Sequence, residues 1–93
     1  MFTAYHTIKK NHPNKIIFMQ VGGFYEAYYR DAIITERVLS LVMHRVRKAP
    51  MTCIPTHAAE EQFLELLDNG YELAICSPVT TTPLDQYLDA EPR

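Results

Sequence analysis

Cysteine, glycine and long apolar runs are all scarce in this 93-residue sequence, and each shortage closes off a class of protein. Two cysteines, Cys53 and Cys76, are too few and too far apart for a disulfide framework, so buried, reduced thiols are expected. The fragment Cys53-Ile-Pro-Thr-His57 offers two metal-ligating side chains where a zinc site needs about three or four, and no second cluster exists. Neither metal nor cofactor is expected. The three glycines, Gly22, Gly23 and Gly70, do not form the spaced glycine loop that cradles phosphates, so no nucleotide site is expected. No apolar run approaches the length of a membrane span, and the opening MFTAYHTIKKNHPNK sets its lysines after its few apolar residues, the reverse of a signal peptide. By elimination the expected location is cytoplasmic, with no membrane partner. Internal repeats and linkers are lacking too. With 47% hydrophobic and 22% charged residues, the chain has the makeup of one ordinary globular domain around a single core.

Positive charge is nearly missing from the second half. Residues 1–50 hold eight Lys and Arg against three Asp and Glu, whereas residues 51–93 hold one against eight. Such a split suggests one face for a polyanion and another turned away from it. The competing reading is that the acidic helix is simply a solvated helix.

What is present reads as a short α/β (α+β) domain. Thr3 is positioned to cap a helix in which Tyr5 and Ile8 share a face, ending before His12-Pro13 because proline disfavours helical geometry in its predecessor. IIFMQV, Ile16 to Val21, is apolar almost throughout, which predicts a central strand covered on both faces. Gly22-Gly23 suits a two-residue hairpin turn, and Phe24 to Tyr29 then runs back antiparallel. Asp31 predicts an N-cap followed by Ile34, Val38 and Leu41 at helical spacing. Leu41 to Val46 reads as another short strand, HRVRKAP as a basic loop closed by Pro50, and MTCI as a strand stopping at Pro55. Thr56 or His57 opens a helix with Ala59, Phe63, Leu66 and Leu67 inward, Glu60, Glu61, Glu65 and Asp68 outward, and Asn69-Gly70 as its stop. YELAIC is the last strand. This order has no repeated βαβ unit and predicts a mixed β-sheet flanked by about three helices. The domain spans 1–78, and 79–93 forms an acidic, Thr/Pro-containing tail.

VGGFYEAYY, Val21 to Tyr29, follows a glycine pair with aromatics and sets a carboxylate among them. Side chains two apart on a strand share a face, so Phe24 and Glu26 point together while Tyr25 points back into the fold. Two readings stay open. Phe24 packs under a helix and Glu26 guards a sheet edge, or Phe24 is a wedge for stacking and Glu26 reads a base edge. Attraction to phosphates would never select a carboxylate, so near nucleic acid it makes sense only in the second role.

HPNKIIFMQVGGFYEAYYRDA, followed at the right interval by MTCIPTHAAEEQFLELLDNGYELAIC, resembles the N-terminal mismatch-recognition domain (domain I) of the MutS DNA mismatch repair family. There a strand leads into Gly-x-Phe-x-Glu and Tyr-x-x-Ala, and a Gly-Ile-Pro-x-His-Ala segment and a helix end in Gly-x-x-x-Ala-Ile-Cys. The likeness covers roughly residues 3–77; Cys53 and Thr56 stand where the family has glycine and commonly tyrosine. The resemblance implies a non-enzymatic DNA-binding module in which Phe24 enters the minor groove and stacks on a mispaired or unpaired base. Glu26 would hydrogen-bond that base, and Arg45, Arg47 and Lys48 would contact the backbone, with His44 able to join them. The implied partners are double-stranded DNA with mismatched or unpaired bases, and the remainder of a MutS-type protein or a dimer partner.

Two rivals come from other classes. One is a stand-alone protein-interaction or accessory domain, as in a mobile element, that has lost mismatch binding and works through Glu60, Glu61 and Glu65. The other is a small hydrolase using Glu26, Tyr28 and His57, although metal-assisted phosphodiester cleavage ordinarily needs more convergent carboxylates or histidines.

Overall fold

Ile16, Ile17 and Phe18 leave neither side of their strand for water, and that fixes the strand in the interior of a sheet. The computed structural model describes residues 2–77. The elements, in chain order, are α1 (Phe2–Asn11), β1 (Lys15–Val21), β2 (Phe24–Tyr28), α2 (Tyr29–Leu39), β3 (His44–Val46), β4 (Ala49–Pro55), a 3-10 turn (Thr56–Ala58), α3 (Ala59–Asp68) and β5 (Glu72–Cys76). The five strands lie in the order β3-β4-β2-β1-β5. β1 pairs antiparallel with β2 and parallel with β5, so the sheet is mixed as expected. The acidic tail expected over 79–93 lies outside the described residues.

The two faces of β1 make two cores. Ile16 and Phe18 join Ala27, Ile54, Ala59 and Leu66 on the face covered by α2 and α3. Ile17 joins Tyr5 and Tyr28 on the face covered by α1. Two hydrogen-bonded pins hold these layers. Thr35 of α2 and Thr52 of β4, both buried, meet hydroxyl to hydroxyl at 2.6 Å.

The second pin corrects an expectation. Asp31 is not an N-cap: α2 begins at Tyr29, Tyr28 holds the cap position, and no side chain caps it. Asp31 lies in the first turn, wholly buried, and its carboxylate gathers three donors. Oδ2 accepts from the Tyr5 hydroxyl at 2.8 Å and from the Ile17 N–H at 3.0 Å, and Oδ1 accepts from Lys9 Nζ at 2.8 Å. Lys9 also donates to the Lys15 carbonyl at 2.6 Å. A buried charge survives when it is paired and its lone pairs are filled. One carboxylate thereby ties α1, β1 and α2 together.

Other boundaries moved for local reasons. α1 starts at Phe2, so Thr3 lies inside the helix, where its carbonyl accepts from Thr7 Oγ1 at 3.0 Å. Tyr29 leaves the strand with φ 56°, a left-handed corner that turns β2 directly into α2. The strand expected over Leu41 to Val46 is confined to His44–Val46, and β4 starts two residues before MTCI. Leu67 is 49% exposed rather than in the core. At about 100° per residue it sits roughly 80° round α3 from Ala59, beyond the narrow contact that Phe63 and Leu66 make. Cys53 and Cys76 are free and half-buried, where full burial was expected.

Candidate nucleic-acid interface

The glycine pair is the tightest possible connection between β1 and β2, because Val21 and Phe24 already face each other across the ladder. Gly22 takes φ +59° and Gly23 does not take a positive φ, as in a type II′ turn, where the first central position is the one that needs glycine. A side-chain carbon at either glycine would meet nothing within 4 Å. The turn is thus chosen for its backbone, and it leaves open space at the hairpin tip. It is also anchored: the Thr56 N–H donates to the Gly23 carbonyl at 2.9 Å, tying the tip to the 3-10 turn.

Phe24 is the first residue of β2 and stays 45% exposed, beside Val21 at 37%. Tyr25 points the other way and meets Phe63 of α3 edge-on, with ring centroids 5.2 Å apart. Glu26 returns to the Phe24 face and is half-buried, opposite Met19 of β1 and Cys53 of β4. Its Oε1 accepts a hydrogen bond from the Tyr28 hydroxyl, two residues further along that face. Burial, and then the bond to Glu26, push the Tyr28 phenol well above the ordinary tyrosine value. Burial and the nearby Glu26 charge also push the Cys53 thiol up, and burial alone does so for Cys76. Both thiols therefore stay protonated near neutral pH.

HRVRKAP is no loop. Val46 faces Ala49, so Arg47 and Lys48 are the two central residues of a second tight hairpin turn. Their φ angles are +51° and +69°, a left-handed pair that ordinarily calls for Asn and Gly. Arg45 Nη1 donates to the Lys48 carbonyl at 3.3 Å across the turn. Arg45, Arg47, Lys48 and His44 are all exposed.

The two parts of the expected site are not brought together. β4 runs from Ala49 beside the basic turn to Pro55 opposite Phe24. At about 3.3 Å per residue those six steps put the ring and the basic turn roughly 20 Å apart. Lys15 begins β1 and Arg30 follows β2, so by register both lie toward the basic end. The charge tally of the first half could have suggested them, but only strand direction sorts them by end. α3, with Glu60, Glu61, Glu65 and Asp68, packs against the Tyr25 face, opposite Phe24 and Glu26. Tyr28 and Glu26 meet as described, while His57 is exposed in the 3-10 turn beyond the end of β4. Among the described residues no group of three His, Cys, Asp or Glu side chains could hold a metal ion. Nor, among them, is any helix long and apolar enough to cross a membrane.

The family model for MutS domain I matches residues 1–88. Three relatives named DNA mismatch repair protein MutS illustrate the likeness. That of Synechococcus sp. (strain CC9605) is 36% identical over 89 residues, covering 89% of this chain and 10% of the relative. That of Thermotoga petrophila is 40% identical over 76 residues, 82% of this chain and 10% of the relative. That of Thermosipho melanesiensis is 38% identical over 76 residues, 82% and 9%. The chain thus spans about a tenth of the length of the curated relatives it matches.

Proposed function

The chain belongs to the MutS domain I family, and on that premise we propose that it is a DNA-binding module which senses mispaired, unpaired or distorted base pairs by inserting Phe24 from the minor groove. The observation that carries this reading is the half-exposed Phe24 ring at the rim of an anchored hairpin, with Glu26 on the same face. The backbone that carries the ring is tied down before DNA arrives, and the two glycines leave the approach clear. Glu26 hydrogen-bonds the displaced base. Arg45, Arg47 and Lys48 contact phosphates about 20 Å away, roughly six base pairs along a B-form duplex.

The energies decide how much the module does alone. Stacking one base on an aromatic side chain is worth about 1–3 kcal/mol. Unstacking a step costs a few kcal/mol, and bending a short site costs about 1–6 kcal/mol more. The wedge alone breaks even at best. A mismatch lowers the cost of opening the stack, and further phosphate contacts come from the rest of a longer MutS-type protein or its dimer partner. The isolated chain is therefore expected to bind duplex DNA weakly, with a preference for mismatched over perfect sites. Fluorescence anisotropy at low salt tests this, with Phe24→Ala losing about 1–3 kcal/mol of that preference. Equal binding of both duplexes by wild type and variant alike refutes the wedge.

Leu64 and Leu67, 52% and 49% exposed among the carboxylates of α3, support a second reading as a protein-interaction surface. A partner whose capture is abolished by Glu60→Lys and Glu61→Lys, with no DNA binding at low salt, would replace the first reading.

A further inference from the structure

We infer that Tyr28 is a positioning residue for Glu26, its buried phenol fixing one carboxylate oxygen so that the other is aimed at the displaced base. The inference rests on the base-reading role given to Glu26 above. Tyr28 matches none of the motif positions that carry the family resemblance, and the contact is a property of this chain's own geometry.

The Tyr28 hydroxyl donates to Glu26 Oε1 from two positions along the same strand face. Tyr28 itself is wholly buried, with its ring edge-on to Tyr5 at 5.4 Å. The Tyr5 hydroxyl in turn lies 3.1 Å from the Tyr28 carbonyl and 2.8 Å from Asp31 Oδ2. The ring that holds Glu26 is therefore backed by Tyr5, which is itself held by the carboxylate that joins α1, β1 and α2. Glu26 has no ion-pair partner among the described residues, and its cross-strand neighbours are Met19 and Cys53. Neither competes as a strong donor.

A carboxylate accepts through two oxygens. With Oε1 held, Oε2 is left as the acceptor for an N–H on the displaced base. A glutamate left to itself must give up rotamer freedom at the moment of binding; one already hydrogen-bonded has largely done so. Reading of the base thus depends on a hydroxyl that never touches DNA.

The test uses the full chain, a duplex with one mispair and its perfect counterpart, and a double-mutant cycle of Tyr28→Phe with Glu26→Ala. Tyr28→Phe keeps the buried ring, and a urea midpoint checks its folding. It is expected to lower the mismatch preference on the order of tenfold, leave perfect-duplex affinity unchanged, and have no further effect once Glu26 is alanine. Without DNA, the same substitution is expected to shift the carbon resonance of the Glu26 carboxyl. An unmoved resonance, an unchanged preference in Tyr28→Phe, or a loss that persists in the Glu26→Ala background overturns the positioning role and leaves the wedge standing. A wild-type chain with no preference between the duplexes overturns both.

Discussion

Replacing the tip of the second hairpin, Arg47→Asn with Lys48→Gly, should make the protein more stable and a poorer DNA binder at once. Both residues hold left-handed φ angles, and a side-chain-bearing residue there costs roughly 1–2 kcal/mol. Asparagine tolerates this region and glycine is indifferent to it. Glycine's greater freedom in the unfolded chain takes back about 0.5–1 kcal/mol. The hydrogen bond from Arg45 goes to the Lys48 carbonyl, so it survives the change. A net gain of about 1 kcal/mol should raise the melting temperature by roughly 4–8 °C in a domain of this size. Binding should move the other way. Each lost phosphate contact lowers the slope of log affinity against log salt by about 0.9, so two lost contacts lower it by about 1.8. Thermal melts and a salt series of anisotropy titrations give both numbers from one variant. A melting temperature that fails to rise refutes the strain argument. A higher one with an unaltered salt slope refutes phosphate contact at this turn.

The buried groups give sharper stability tests. Asp31→Ala leaves the buried Ile17 N–H without its acceptor and takes the counter-charge from Lys9, while Lys9 and the Tyr5 hydroxyl keep only the Lys15 and Tyr28 carbonyls; it should cost about 3–5 kcal/mol. Urea denaturation should show it as a large part of a total near 5–14 kcal/mol, taking about 0.05–0.15 kcal/mol per residue. Thr35→Val leaves the Thr52 hydroxyl without its partner and should cost about 1–3 kcal/mol, whereas Thr35→Val with Thr52→Val should be milder than the single change. Folding raises the phenol pKa of both Tyr5 and Tyr28, through burial first and then the bonds to Asp31 and Glu26. Their contribution is therefore complete below the unfolded value of about 10 and is lost as pH climbs beyond it. Tyrosinate absorbance should rise for these two rings only as the chain unfolds, and early ionisation of both in the folded protein would contradict the assignment.

The sequence was most informative where a short period governs the outcome. Strand alternation separates Phe24 and Glu26 from Tyr25, and a run apolar at every position but Gln20 marks β1 as interior. Both follow from which way consecutive side chains point, and both hold in the structure. A carboxylate at a helix start has a good local explanation as an N-cap, whereas the donors that Asp31 serves lie 14 to 26 positions away. The basic turn is hidden for a related reason: Arg and Lys give no sign of left-handed geometry, so a tight hairpin and a loop are not told apart by residue type. The separation of the basic turn from the ring follows from strand direction in the finished sheet. No window of sequence contains it.

The bond from Thr56 to Gly23 has a mechanical side. It splices the root of the aromatic finger to the first turn leading into α3, with the Phe24–Pro55 pairing alongside as a second rivet. A load on that helix reaches the backbone of Phe24 through main-chain joints alone. Whatever grips α3 would thus have its hand on the hairpin tip, and under the proposed insertion of Phe24 a base that resists the ring would be felt on the far side of the sheet.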